Sequence, residues 1–337
     1  LDEVTARYAR EFRVENAKAW LHVNRFVRES WRRGFASPEP LSPTPYPGRT
    51  HYLAPRLREL WLHTNNSCNL ACEHCLVSSG PDGDGGMDGE ALAALIDEGA
   101  ELGAGRFYLT GGEPFYRRDV FDLVERVTSR HGRDLTVLTN GILFQGAVIE
   151  RLRTQDPARL GLQVSLDGAT ACTNDAVRGP GAFDRILAGV RNLVQAGFTP
   201  TIATVITRDN VAQMTDMVRL VKELGAPNWH LIWIHKKGRW ANLNGSFVPP
   251  ASLYARLREA QQEAERLEVT IDNVESFRQR VNGAPGPRID LGGAGVESLC
   301  VYSDGRVYPS AATVQYDALE LGRWRPGNLG DLLHNAD

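Results

Sequence analysis

Cys68-Asn69-Leu70-Ala71-Cys72-Glu73-His74-Cys75 places three of the chain's five cysteines within one short stretch. A four-iron, four-sulfur cube is held by cysteine thiolates, so a loop offering three of them fastens three corners and leaves one iron open. A structural zinc wants a closed tetrahedron of four protein ligands, and His74, wedged between two of the cysteines, is the only nearby candidate for the fourth. A third reading is steric: positions i, i+4 and i+7 share one helix face, and free thiols pack well in cores. The flanks oppose a helix. Asn65, Asn66, Ser67 and Asn69 are poor helix-interior residues, and they follow the strand-like run Glu59-Leu60-Trp61-Leu62-His63. The stretch therefore reads as a ligand loop leaving a strand, with the cluster ahead of zinc and of packing.

Outward from this loop, strand and helix patterns alternate. Strands are expected at 58–63, 106–110, 135–139, 161–165, 201–206 and 230–234, and apolar residues recur at helical spacing in 87–102, 120–130, 183–196 and 211–224. Such alternation specifies an α/β fold, a parallel sheet wrapped by helices, and six units make a partial barrel. Polar turns close several of these strands, at the carboxyl-end mouth where barrel active sites sit. In Arg106-Phe107-Tyr108-Leu109-Thr110-Gly111-Gly112-Glu113-Pro114 the glycines permit close backbone approach, Glu113 can accept from an ammonium, and Pro114 fixes the exit of the turn. A plainer role for Glu113 is an exposed acid near a helix start. Asn140-Gly141 and Asp167-Gly168 equally suit ordinary turns. Arg178 offers a fork matching a carboxylate, or a surface ion pair.

Taken together these motifs resemble the radical S-adenosylmethionine superfamily, whose signature is cysteine, three residues, cysteine, two residues, cysteine after the first strand of a partial (β/α)6 TIM-like barrel. The resemblance covers roughly 58–332 and is of the SPASM/twitch type. It implies Cys68, Cys72 and Cys75 as ligands of a 4Fe-4S cluster whose open iron binds S-adenosylmethionine. Reductive cleavage of that cofactor gives a 5'-deoxyadenosyl radical that abstracts a substrate hydrogen atom, so the hard chemistry belongs to the cofactor. It further implies cofactor contacts from Gly111, Gly112, Glu113, Pro114, Asn140, Ser165 and Asp167, with Ser165 and Arg178 holding the carboxylate and Asp167 shaping its turn. His74 falls where the family has an aromatic residue near the adenine; its other reading is a solvent-facing loop residue. The implied electron donor is a reductase such as flavodoxin or ferredoxin.

Near the end, Leu299-Cys300-Val301-Tyr302-Ser303-Asp304-Gly305-Arg306-Val307-Tyr308-Pro309-Ser310 and Gly327-Asn328-Leu329-Gly330 resemble the SPASM/twitch extension, with Asp304-Gly305 turning a hairpin. Cys300 stands at the first ligand position of an auxiliary iron-sulfur cluster, but Ser310 stands where the second cysteine belongs. The auxiliary site is then lost, completed by an unusual ligand, or completed by cysteines beyond Asp337; otherwise Cys300 is a buried free thiol. Trp233, His235, Lys236, Lys237, Arg239 and Trp240 follow the sixth strand as a cationic, aromatic rim for a peptide or anionic substrate, or more plainly as a solvated loop. By the same resemblance Cys172, just after the fourth strand, is a candidate hydrogen donor to a substrate radical, as in the family's peptide epimerases.

The chain divides into a helical segment over 1–37, a proline-rich linker over 38–50, the barrel over 51–275 and the C-terminal region over 276–337. In the first, Trp20, Val23, Phe26, Val27 and Trp31 mark one helix face, without the strand pattern of a leader-binding winged helix. With 337 residues and 42% hydrophobic content the chain can bury a sizeable core, and it has no apolar run long enough for a membrane span and no visible signal peptide. Five cysteines fit a reducing cytoplasm, and a net charge of -3 gives no basic field for nucleic acid. The leading expectation is maturation of a ribosomally made peptide. The alternatives are a small-molecule dehydrogenase or mutase, and a non-catalytic zinc or iron-sulfur protein.

Overall fold

The computed structural model describes residues 1–33, 55–241, 246–274 and 293–334. The proline-rich linker expected over 38–50 lies outside them. The chain falls into two compact units, Leu1–Gly48 and Arg49–Asp337. In the first, α1 (Asp2–Phe12) and α2 (Asn16–Arg32) form a hairpin turned at Arg13 in the left-handed region. Thr5, Ala9, Ala19 and Val23 are its buried residues, and Tyr8 hydrogen-bonds His22 across it at 3.1 Å.

The second unit is built on one sheet. Six parallel strands run in sequence order: β1 (Glu59–His63), β2 (Arg106–Thr110), β3 (Asp134–Thr139), β4 (Leu160–Ser165), β5 (Thr201–Ile206) and β6 (Asn228–Trp233). Their side chains alternate between two faces. Leu60, Phe107, Leu135 and Leu160 stand in register and are fully or almost fully buried, as are Leu62, Leu109, Val137 and Leu162 one pleat further on. These face the helices, each contributing about 2 kcal/mol by burial. The other face is the lumen of a partial (β/α)6 barrel.

Helices α3 (Gly89–Glu101), α4 (Val120–Glu125), α5 (Gly146–Leu152), α6 (Ala171–Arg178), α7 (Ala182–Gln195), α8 (Met214–Glu223) and α9 (Pro250–Leu267) flank the strands. In α3, Leu92, Leu95, Ile96 and Ala100 form the buried stripe, and Asp88 caps the first turn by accepting from the Ala91 N–H at 2.7 Å. The helix expected over 120–130 loosens into a π-turn at Arg126–Arg130, while that over 211–224 opens with a 3-10 turn at Val211–Gln213. The sixth strand starts two residues earlier than expected, because Asn228 and Trp229 pair with β5 on one side and with β7 (Thr270–Ile271) on the other.

The C-terminal region continues the same sheet. β8 (Ser298–Val301) pairs in parallel with β1, and β9 (Arg306–Tyr308) and β10 (Gly322–Arg323) follow antiparallel beyond it, so the Asp304-Gly305 hairpin forms at the edge next to β1. Its turn reaches back to the lead-in of the cysteine loop: Asn66 donates to the Ser303 Oγ at 3.0 Å and accepts from the Tyr302 hydroxyl at 3.1 Å. Glu98 at the end of α3 accepts from Trp324 Nε1, the Gly327 N–H and the Leu329 N–H at 2.8, 3.1 and 2.6 Å, fastening the start of α10 (Leu329–His334) to the barrel. Among the described residues no helix is long and apolar enough to cross a membrane.

Candidate active site

The cysteine loop leaves β1 without helical structure, as its asparagines and serine require. It is secured before the first cysteine: the Cys68 N–H donates to the Gly80 carbonyl at 2.9 Å, while the Ser67 carbonyl accepts from Asn65 Nδ2 at 2.7 Å and from the Glu113 N–H at 2.9 Å. The glycine pair serves this contact. A Cβ on Gly112 would stand 2.1 Å from the Ser67 carbonyl oxygen, and Gly111, at φ +144°, would meet the Asn65 carbonyl oxygen at 2.5 Å. Only bare backbone lets the turn after β2 lie this close to the loop.

Cys68, Cys72 and Cys75 line one cavity of about 280 Å³ at the barrel mouth, together with Gly111, Gly112, Asn140, Ser165, His74 and Arg178. The Leu70 N–H points at the Cys68 sulfur at 3.4 Å and the Ser79 N–H at the Cys75 sulfur at 3.2 Å. Asn140 Nδ2 lies 3.8 Å from the Cys68 sulfur, and Arg178 Nη1 4.0 Å from that of Cys72. Donors on sulfur favour the thiolate. Burial opposes it, pushing the Cys68 thiol up to about 12 and that of Cys72 upward too, as a bound metal would reverse. Among the described residues no three His, Cys, Asp or Glu side chains converge on a point that could hold a single ion. Three thiols around a cavity suit a group several ångströms across, with a different metal atom for each.

Arg178, at the end of α6, and Asp167, after β4, form a buried ion pair at 2.7 Å, and His74 Nε2 reaches the same Asp167 oxygen at 3.0 Å. Burial works to raise the Asp167 carboxyl, but Arg178 and His74 outweigh it and hold it well below the ordinary range. Asp167 also accepts from the Val205 N–H at 2.8 Å. It therefore orients Arg178 and His74 and is not among the lining residues. His74 Nδ1, Arg178 Nε and Ser79 Oγ are buried with no hydrogen-bond partner, all three on residues lining the cavity. Orphaned polar atoms of this kind are what a bound polar ligand satisfies. The donor set, the cavity and these atoms fit a cluster with a polar cofactor beside it.

Glu113 is fully buried and outside the lining set. Its carboxylate accepts from Thr139 Oγ1 and the Asn140 N–H at 2.8 Å each and from the Phe115 N–H at 3.1 Å. It thus ties the turn after β2 to the end of β3 and positions Asn140, whose amide meets Asn69 Oδ1 at 2.7 Å. Burial pushes its carboxyl up to about 7 against those bonds. Pro114 opens the short 3-10 turn that Glu113 caps.

The segment after β6 is solvated only in part: Trp233, His235, Lys236 and Arg239 are exposed, while two of its residues are not. Lys237 and Trp240 are both 7% exposed, with the Lys237 ammonium 4.6 Å from the centre of the Tyr316 ring. Trp233, His235, Arg239 and Trp240 line the cavity, and the guanidinium of Arg239 is bonded to backbone of the cysteine loop. The Arg239 bonds join segments 167 and 160 residues apart, and no local pattern announces them. Cys172 is exposed on the first turn of α6 and does not line the cavity. Cys300 is fully buried on β8, among Tyr302, Tyr308, Val314, Trp61, Val77 and Ala311. Ser310 is occupied locally with Thr313.

Comparison with curated proteins finds the mycofactocin maturase MftC of Mycobacterium tuberculosis, 37% identical over 193 residues that cover 56% of this chain and 48% of that protein. The AdoMet-dependent heme synthase of Methanosarcina barkeri is 39% identical over 176 residues, covering 51% of this chain and 49% of that protein. The chain spans about half the length of the curated relatives it matches. Among solved structures, Streptococcus suis SuiB bound to its precursor peptide SuiA has a TM-score of 0.69 at 14% identity, covering 95% of this chain and 78% of that one. anSMEcpe with bound AdoMet and a peptide has a TM-score of 0.68 at 20% identity, covering 84% and 81%. These likenesses show a shared fold. The sequence profile of the Radical SAM superfamily matches residues 62–235, the stretch that carries the three cysteines and the mouth of the barrel, and the chain belongs to that superfamily.

Proposed function

We propose that the chain is a radical S-adenosylmethionine enzyme whose Cys68, Cys72 and Cys75 hold the family's 4Fe-4S cluster. One observation carries the reading: three thiols face a single mouth cavity, two of them receiving backbone N–H groups. When bound, the cluster and S-adenosylmethionine supply a 5'-deoxyadenosyl radical that takes a hydrogen atom from substrate. The residues of the chain bind and orient. Arg178, kept in place by Asp167, offers Nε to the cofactor carboxylate beside Ser165, and His74 presents its ring to the adenine. Gly111 and Gly112 give backbone approach, Asn140 bounds the cysteine side, and Glu113 with Pro114 holds that turn in place. The region over 276–337 is the twitch-like extension of a barrel over 51–275.

For the substrate we infer a ribosomally made peptide. The likeness to a mycofactocin maturase supports this, as does a mouth walled by Trp233, which is 46% exposed beside the cavity. The likeness to an AdoMet-dependent heme synthase favours a second reading, a small-molecule substrate. The electron donor is a flavodoxin- or ferredoxin-type reductase in the cytoplasm, and a net charge of -3 offers no overall basic field for nucleic acid. Anaerobic reconstitution with iron, sulfide, dithionite and S-adenosylmethionine tests the class: 5'-deoxyadenosine is expected, and its absence defeats the proposal. A synthetic peptide encoded by a short reading frame beside the gene tests the substrate. A mass change in it supports maturation, and an unchanged mass under active cofactor cleavage turns the case towards a metabolite.

A further inference from the structure

We propose that the turn Lys237–Trp240 is a positioning element for the cysteine loop, with Arg239 as its principal residue; this rests on reading that loop as the seat of the cluster. Arg239 Nε donates to the Cys72 carbonyl at 2.7 Å, its Nη2 to the Ser79 carbonyl at 2.6 Å, and its backbone N–H to the Cys75 carbonyl at 3.2 Å. One residue therefore fixes the backbone of two candidate ligands. It also fixes Ser79, whose own N–H points at the Cys75 sulfur.

Both neighbours press on the same segment. Gly238 sits at φ +59°, and a Cβ there would lie 2.1 Å from the Cys75 carbonyl oxygen, so only glycine lets the turn lie this close. Trp240 is buried with its ring 5.5 Å from that of His74. Three consecutive residues thus brace the loop, which is also tied to α6 by the Glu73 N–H donating to the Val177 carbonyl at 2.9 Å. The guanidinium fork spans two carbonyls at once, which a lysine ammonium cannot reproduce. Its charge beside Cys72 also favours the more negative, reduced form of a thiolate-bound cluster, a lever on potential.

The test compares the full-length wild type with R239Q, R239K and G238A after anaerobic reconstitution. Four quantities are read: thermal midpoint before iron is added, rate of iron loss to a chelator, the spin-resonance spectrum of the reduced protein with and without S-adenosylmethionine, and midpoint potential. The expected result is a thermal midpoint unchanged in R239Q and R239K and lowered in G238A, whose Cβ meets the backbone of the loop, with iron loss about tenfold faster in R239Q and G238A and a more negative potential in R239Q that R239K partly restores. Wild-type iron retention, spectrum and potential in R239Q overturn the proposal. If R239Q does not fold, R239K decides through its chelation rate and cofactor-induced spectral change, and wild-type values there count against the clamp. A wild type that takes up no iron defeats the cluster reading and the clamp with it.

Discussion

Cys68 at the barrel mouth and Cys300 on β8 are both out of water, at 7% and 0% exposure, yet their surroundings differ in kind. Cys68 has the Leu70 N–H and the Asn140 amide near its sulfur and shares a cavity with Cys72, Cys75 and Arg178. Cys300 is packed by aromatic and aliphatic side chains, and the charge that acts on it, Lys237, rests against the face of Tyr316. Burial pushes both thiols up, so burial alone distinguishes nothing. What separates a candidate ligand site from a packed thiol is the company: three cysteines lining one cavity, donors aimed at their sulfurs and space for a bound group.

The largest expected effect tests this contrast directly. The reconstituted wild type should carry about four irons per chain, C72A close to none, and C300A the wild-type number. A count of about eight, halved in C300A, would erase the distinction between the two regions. Next comes Arg178. R178A strips the buried Asp167 carboxylate of its main counter-charge and should cost about 3 kcal/mol in denaturant unfolding. R178K keeps the charge but not the fork and should weaken S-adenosylmethionine about tenfold by calorimetry, with unchanged affinity removing Arg178 from the cofactor contacts.

Smaller and pH-dependent is the effect of Glu113, whose carboxyl is raised from 4.5 to about 7. A raised acid favours the folded state in its protonated form. That contribution is complete below pH 4.5 and is lost as pH rises through about 7. E113Q, which cannot ionise, should therefore gain on the wild type across that window by up to about 3 kcal/mol, read from urea midpoints. Parallel pH profiles for the two would show that the mouth does not desolvate this group. The smallest change is expected from C172S, within about 0.5 kcal/mol in stability and with 5'-deoxyadenosine formation intact. Loss of substrate product with cofactor cleavage retained would bring Cys172 into the chemistry after all.

The period-two alternation of Leu60, Leu62, Phe107 and Leu109 made the strands legible to within a residue or two, since each pleat face meets a different environment. The cysteine loop was legible because its three cysteines are close in sequence. The rest depended on contacts between distant segments. Glu113 reads as a ligand acid, but the turn geometry aims it at the end of β3. Arg239 carries no local mark of its hold on Cys72, and Lys237 and Trp240 read as surface residues because a short, charged segment after a strand ordinarily is one. The pairing of β8 with β1 was equally hidden, since a strand's neighbour across more than half the chain leaves no trace in spacing.

That pairing bears on how the molecule can be cut. β8 covers the free edge of the strand that feeds directly into Cys68. A fragment ending at residue 275, drawn as a minimal barrel, would leave a bare row of amide and carbonyl groups along Glu59–His63, open to pairing with other chains. Shortened versions should therefore clump before they lose the cysteine motif, and the C-terminal hairpin belongs in any expression design, whatever Cys300 binds.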